Sequence, residues 1–119
     1  LVPITRKMTM ADLALRLNLP LLIVARTNLG TLNHTLLTVE VAMRRGVKVA
    51  GVIFNHLVQR RGLAEKTNPS VIKDFLNVPI LGEIPYAPFL KGGNRTNEKI
   101  RKWVETHVDK ERIYSLLRL

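Results

Sequence analysis

The sequence predicts an α/β fold, a partial doubly wound parallel sheet with flanking helices. Strand-length runs at residues 20–26, 47–55 and 79–84 alternate with segments of helical period. Such alternation is typical of parallel strands joined by crossover helices. The first two runs are almost continuously apolar, which favours strands buried on both faces.

Capping residues predict where the first two helices begin and end. Thr9 is the expected N-cap of the first helix, with Asp12 three residues later, and Asn18 marks its end. The second helix is expected over residues 31–45 because Leu32, Leu36, Val39 and Met43 share one face, and Gly46 follows as a C′ glycine.

The last three helices have similar signals. Asn68 followed by Pro69 predicts an N-cap and N1 position for a helix that runs to residue 76. Two closing helices are expected over residues 98–107 and 110–117, with Asp109 as the cap of the second.

Three strands leave sheet edges unpaired, so we expect further strands in a preceding segment. The chain begins at Leu1, not at a methionine. We therefore interpret residues 1–119 as one partial domain, the C-terminal portion of a larger α/β domain. We expect it not to fold stably by itself.

Composition excludes several classes of protein. No apolar run approaches the roughly 18 residues of a membrane span, and the absence of cysteine excludes disulfides and Cys-based zinc sites. No secretory signal is visible, so we expect a cytoplasmic protein without a membrane partner. Net charge is +10, from 19 Lys and Arg against 9 Asp and Glu. This charge keeps a nucleic-acid binder open as an alternative. The scattered basic residues lack interleaved aromatics, which favours a solvated surface or one that attracts a phosphorylated ligand.

The carboxyl ends of the strands are the expected ligand edge of such a sheet. The first end continues into Gly30-Thr31-Leu32-Asn33, a small polar start to an otherwise apolar helix. Free backbone N–H groups and the helix dipole favour an anion there, and the Asn33 carboxamide adds a donor. The alternative is that Thr31 and Asn33 only cap the helix and Gly30 only makes the turn.

The other two strand ends carry groups suited to a purine. The Asn55 carboxamide offers a donor and an acceptor that complement an adenine edge, and His56 follows it. Pro85 stiffens the third end, so Tyr86 and Ala87 could lie against a flat base. Each group also has a structural interpretation, as turn asparagine, loop histidine or stiff strand exit.

Several catalytic motifs are absent from the sequence. It contains no G-x-x-x-x-G-K-[ST] phosphate loop, and Gly92-Gly93 is not followed by the required lysine. We find no acidic residue at an expected strand-end magnesium position. Neither Ser70 nor Ser115 lies in a nucleophile elbow, which argues against a serine hydrolase.

Three motifs in this order resemble a known family: "LGTLNHTLLTVE", "VAGVIFN" and "PILGEIPY". Together with "MTMADLALRLNLPLLIVAR" before them and "KWVETHVDKERIYSLL" after them, they resemble the C-terminal half of the ATP-dependent dethiobiotin synthetases. The resemblance covers nearly the whole chain. It implies a P-loop-type α/β fold and a homodimer.

The resemblance also implies an activity: formation of the ureido ring of dethiobiotin from 7,8-diaminopelargonate and CO2, with ATP and Mg²⁺, in biotin biosynthesis. Asn55 and His56, with Pro85, Tyr86 and Ala87, would lie at the adenine. Gly30, Thr31 and Asn33 would hold the carboxylate of the diamino acid across a dimer interface.

The family's phosphate loop, catalytic lysines and magnesium ligands belong to its N-terminal half, so the resemblance assigns no catalytic residue or metal ligand to this chain. It implies that this chain alone catalyses no reaction. A further acidic contact with adenine or ribose has no match, because "APFLKGGN" follows "IPY". A non-catalytic nucleotide-binding or regulatory domain stays open as the other alternative.

Overall fold

A computed structural model of the protein describes residues 2–60, 62–91 and 96–117, with residue 117 described by its backbone only. Gly92-Gly93 lies outside the described residues. The elements follow in the order β1 (Pro3–Thr5), β2 (Met8–Thr9), α1 (Met10–Leu17), β3 (Leu21–Arg26), α2 (Thr31–Arg44), β4 (Val49–Asn55), α3 (Leu63–Phe75), β5 (Ile80–Ile84), α4 (Asn97–His107) and α5 (Lys110–Leu117), with a single 3-10 turn at Pro88–Leu90.

The main sheet has the strand order β3-β4-β5, and both pairings are parallel. This confirms the predicted parallel α/β sheet. The central strand β4 is buried from Ala50 to Phe54. The expectation that β3 is buried on both faces is wrong at Val24, whose exposure is 61%, whereas Ala25 on the other face is buried. β3 is an edge strand, and its face opposite Ala25 is not covered by the described residues at this position.

The core joins β3 and β4 to the helices α2 and α3. Its buried cluster comprises Ala25, Val39, Val52, Phe54 and Ile72. Helices α2 and α3 also contact each other. Burial of these aliphatic and aromatic side chains is the main force that fixes both helices on the sheet.

The caps of α1 and α2 follow the sequence prediction. The Thr9 hydroxyl accepts from the Asp12 backbone N–H, and the Asp12 carboxylate accepts from the Thr9 backbone N–H at 2.7 Å, which is a capping box. At the end of α2, Gly46 has a positive φ of 80°. The N–H of Val47 donates to the Ala42 carbonyl at 2.9 Å, which completes a Schellman turn. Val47 therefore belongs to this turn, and β4 begins at Val49.

The predicted start of α3 is wrong. The helix begins at Leu63, so Asn68 and Pro69 lie inside it, and Asn68 is buried. Proline removes one helical hydrogen bond. The Asn68 side chain does not cap the helix because it bonds to the loop after β3, as described below. The short antiparallel pairing of β1 with β2 was also not predicted.

The two closing helices were predicted within a residue of their observed bounds. Between them, Val108 forms an antiparallel bridge with Gly82 of β5. A Cβ at Gly82 would lie 2.4 Å from the His107 carbonyl oxygen, so this approach requires glycine. The Asp109 carboxylate accepts from the Arg112 N–H at 3.0 Å, as expected for the cap of α5. Among the described residues, no helix combines the length and apolar character needed to cross a membrane.

Candidate functional site

The carboxyl ends of the three parallel strands meet at one edge of the sheet. In the strand register, Asn55 of β4 is the partner of Arg26 in β3 and of Ile84 in β5. The backbone N–H of His56 donates to the Ile84 carbonyl at 2.9 Å, which continues the pairing past the end of β4. The three predicted groups of ligand residues therefore begin at neighbouring strand ends.

The Asn55 side chain is a polar group at this edge that has capacity to bind a ligand. It is half-buried, and within the part of the chain that the structure describes it takes part in no side-chain hydrogen bond. A carboxamide offers two N–H donors and a carbonyl acceptor. A planar group that carries an acceptor beside a donor, as the adenine edge does, would satisfy it.

The His56 side chain lies behind this edge and is completely buried. Its Nδ1 lies 2.9 Å from the Thr27 hydroxyl, and its Nε2 is hydrogen-bonded to the Glu83 carboxylate. A carboxylate can only accept, so Nε2 carries a proton, and in the neutral ring Nδ1 accepts from Thr27. Both ring nitrogens are therefore engaged within the protein. The backbone of His56, and not its side chain, is therefore the part that a base at this position would contact.

Asn68 connects α3 to the same group of residues. Its Nδ2 donates to the Thr27 carbonyl at 2.9 Å and to the Asn28 carbonyl at 3.2 Å. We call Thr27, His56, Glu83 and Asn68 the strand-end network. Sequence reasoning missed three of its members, since Asn68 was interpreted as a cap and Glu83 as an ordinary strand residue. A glutamate within an apolar strand, beside a strand that is followed by a histidine, was the available signal.

The predicted anion site lies at the start of α2. Gly30 is the N-cap with φ of 88°, a left-handed conformation that favours glycine, and it supplies no side-chain cap. The N–H groups of the first turn thus lack a side-chain acceptor. Asn33 is exposed. The Thr31 side chain is buried and donates to the Arg26 carbonyl at 2.5 Å. The Thr31 backbone N–H donates to the Asn28 carbonyl at 3.2 Å, so both donors of Thr31 are engaged within the protein.

The third predicted group follows β5. Pro85 and Tyr86 are half-buried and Ala87 is buried. The Lys91 ammonium lies 5.5 Å from the centre of the Tyr86 ring, within the range of a cation–π contact. This basic group adds positive charge close to Tyr86, which suits a phosphorylated ligand.

Two cavities flank β3. One, of about 600 Å³, lies between α1, β3 and α2, and its lining is almost wholly apolar. The other, of about 370 Å³, lies beside the carboxyl end of β3 at the start of α2. The smaller one is the better candidate for binding a polar ligand, because its lining includes the polar residues Arg26, Asn28, Thr31, His34, Thr35 and Thr38.

No metal site can be assigned within residues 2–60, 62–91 and 96–117, where no group of three or more acidic or histidine side chains could hold an ion. Glu83 lies near the strand ends, but it is engaged with His56. The described residues therefore do not fit a magnesium ion, and we derive no step through one.

Comparison with known proteins decides the family. Residues 1–93 match the family model described as "AAA domain". The chain belongs to this AAA-domain family. It is also 44% identical over 108 residues to the ATP-dependent dethiobiotin synthetase BioD of Bacillus velezensis. The synthetases of Bacillus subtilis and Thermodesulfovibrio yellowstonii are each 39% identical to it, over 108 and 106 residues.

These matches confirm the resemblance found in the sequence. They cover 91%, 91% and 88% of this AAA-domain chain, but only 44%, 45% and 42% of the three relatives. The chain thus spans less than half the length of the relatives it matches. What those complete proteins bind and catalyse is therefore a proposal for this one.

Proposed function

We propose that this chain contributes the nucleotide-base and diamino-acid sites of an ATP-dependent dethiobiotin synthetase. The observation that carries the proposal is the half-buried Asn55 carboxamide, which has no side-chain hydrogen bond within the described residues. It lies at the strand ends of a chain 44% identical to such a synthetase.

In this proposal the adenine of ATP binds between Asn55 and the segment Pro85-Tyr86-Ala87. The carboxamide of Asn55 donates to a ring nitrogen of adenine and accepts from its amino group. The backbone at His56 forms the adjoining wall, because its side chain is turned into the protein.

The carboxylate of 7,8-diaminopelargonate binds at the start of α2. The backbone N–H groups of Leu32 and Asn33 and the Asn33 carboxamide are its donors, and the helix dipole favours its charge by roughly 0.3–1 kcal/mol. We include the homodimer in the proposal, so that this site completes the active site of a second copy.

The reaction converts the diamine and CO2 into a cyclic urea. One amine becomes a carbamate, ATP supplies the phosphoryl group that activates it, and the second amine closes the ring with loss of phosphate. The described residues of this chain bind and orient the two substrates. The phosphate-binding and magnesium-binding groups are assigned to no described residue. The cytoplasmic location stays a prediction.

The test uses the complete coding sequence in which this chain occurs. Expressed in a bacterium that lacks its own dethiobiotin synthetase, it should restore growth on diaminopelargonate without biotin. The purified product should incorporate labelled CO2 into dethiobiotin and release one ADP for each molecule formed. Normal expression without growth and without labelled product would contradict the proposal.

The same protein separates the two alternatives. A non-catalytic nucleotide-binding domain would bind ATP in calorimetry and form no dethiobiotin. A nucleic-acid binder would bind single- or double-stranded DNA with an affinity that falls steeply with salt and would show no preference for adenine nucleotides.

A further inference from the structure

Asn55 is the proposed base-reading residue, yet within the described residues its side chain has no hydrogen-bond partner that fixes its position. Its orientation must therefore come from the backbone that carries it. The residue that follows it, His56, is held on both sides of its ring: its side chain is 0% exposed, and both its ring nitrogens are hydrogen-bonded.

The partners of His56 lie on the two neighbouring strand ends. Thr27 follows β3, and its hydroxyl is 2.9 Å from Nδ1. Glu83 is in β5, two residues before Pro85, and its carboxylate accepts from Nε2. The imidazole thus ties the end of β4 to both flanking strands. Each of these two hydrogen bonds lies close in sequence to one of the predicted ligand segments.

We propose that Thr27, His56 and Glu83 are positioning residues, which hold Asn55 and Pro85 at the spacing that the nucleotide base requires. The inference rests on the proposed function. It adds that nucleotide affinity depends on hydrogen bonds among three side chains that do not themselves contact the base. It also explains why a histidine with no free nitrogen follows the base-reading asparagine.

A single substitution can remove one of these hydrogen bonds and leave the others in place. Thr27→Val removes the hydroxyl and leaves the backbone carbonyl that Asn68 binds at 2.9 Å. The loop that leads to Gly30 stays held by Asn68, which also bonds to Asn28. Thr27→Val should therefore disturb the nucleotide site selectively. Thr27→Ser restores the hydroxyl.

The experiment measures KM and kcat for ATP and for diaminopelargonate in the complete protein. Thr27→Val should raise the KM for ATP by about three- to tenfold, the effect of one misplaced hydrogen-bonding group. It should leave the KM for the diamino acid and kcat within about twofold. Thr27→Ser should return the KM for ATP to near the original value.

Thr106→Val is the matched control, because it removes an exposed hydroxyl that donates to the Lys102 carbonyl at 2.7 Å in α4. It should change neither KM. Glu83→Ala and Glu83→Gln form a second pair for the case in which Thr27→Val does not fold. The Glu83 side chain is 42% exposed, so it tolerates substitution. Alanine should raise the KM for ATP, and glutamine, which keeps the acceptor for Nε2, should not.

Different results would contradict the positioning role of these residues and the proposed function. An active protein in which Thr27→Val and Glu83→Ala keep the original KM for ATP overturns the network's role, as does an equal rise with Thr27→Ser. A folded protein that makes no dethiobiotin overturns the proposed function. Calorimetric titration with ATP then tests the network by itself. Weaker ATP binding by Thr27→Val than by Thr27→Ser supports the network's role. ATP binding that is equal in the two variants, or absent from both, overturns it.

Discussion

The Nδ2 of Asn68 lies 2.9 Å from the carbonyl oxygen of Thr27, so a buried side chain of α3 holds the end of β3. The same nitrogen reaches the Asn28 carbonyl at 3.2 Å. Helix α3 also packs on the sheet through Ile72, which belongs to the buried core. The Asn68 carboxamide therefore contributes both to the stability of the fold and to the geometry of the candidate site.

Asn68→Asp should destabilise the protein by about 1–3 kcal/mol, because the Thr27 and Asn28 carbonyls lose their donor and face a carboxylate. The measurement is the denaturant midpoint of the complete protein. Asn77→Asp, a change of the same kind at an exposed position, is the control and should cost less than about 0.5 kcal/mol. Equal midpoints for the two variants would contradict the role given to Asn68.

Phe54→Ala should cost about 3–5 kcal/mol, because Phe54 is fully buried in the central strand and its removal leaves a cavity. Phe75→Ala removes the same side chain at a position that is 71% exposed. It should change the free energy of unfolding by less than about 0.5 kcal/mol. Thermal unfolding of both variants checks the prediction, and a cost at residue 75 that matches the cost at residue 54 would disprove the placement of the core.

The capping box predicts a pH dependence. Hydrogen bonds from the Thr9 hydroxyl and then the Thr9 backbone N–H lower the pKa of Asp12, and Arg45 adds to the effect. A carboxylate whose pKa is lowered by folding stabilises the protein above its unfolded pKa, and this contribution is lost as pH falls through the folded pKa.

Asp12→Asn should therefore lower Tm at neutral pH, and the difference from the original protein should vanish toward acid pH. Melting curves across this range measure it. Asp74→Asn, at an exposed position in α3, is the control. A Tm difference at residue 12 that stays constant down to the acid limit would exclude the capping carboxylate as its cause.

Asn55→Ala should weaken discrimination between ATP and other nucleoside triphosphates, since the donor and acceptor that read adenine are removed. We expect the ratio of kcat/KM for ATP over CTP to fall by about 10-fold or more, the effect of a lost bidentate contact. Initial rates with ATP, CTP and GTP test this, with Asn97→Ala at an exposed position of α4 as the control. An unchanged order of preference among ATP, CTP and GTP would contradict the assignment of Asn55 to the base site.

Local signals in the sequence predicted most of the elements. The Thr9 and Asp12 box, the Gly46 turn and the Asp109 cap each lie within one turn of helix, so neighbouring residues suffice to identify them. The parallel sheet followed from the alternation of apolar runs with helical periods. The shared edge of the three strand ends followed from the sheet being parallel.

Contacts between distant residues were not predictable in this way. Asn68 bonds to a carbonyl 41 positions earlier in the chain, and this tertiary contact outweighs the local Asn-Pro signal for a helix start. His56 looked like a loop residue, because nothing near it in the sequence shows that Thr27 and Glu83 occupy its two nitrogens. The exposure of Val24 depends on its strand's place in the sheet, which an apolar run does not reveal.

The central claim is that two separate sites on this chain bind the nucleotide base and the diamino acid. The most direct test measures both KM values in the complete protein with Asn55→Ala and with Asn33→Ala. We predict that Asn55→Ala raises only the KM for ATP. Asn33→Ala should raise only the KM for diaminopelargonate, by about three- to tenfold for one lost hydrogen bond. A rise of both KM values in each variant, or of neither, would contradict the assignment of the two sites.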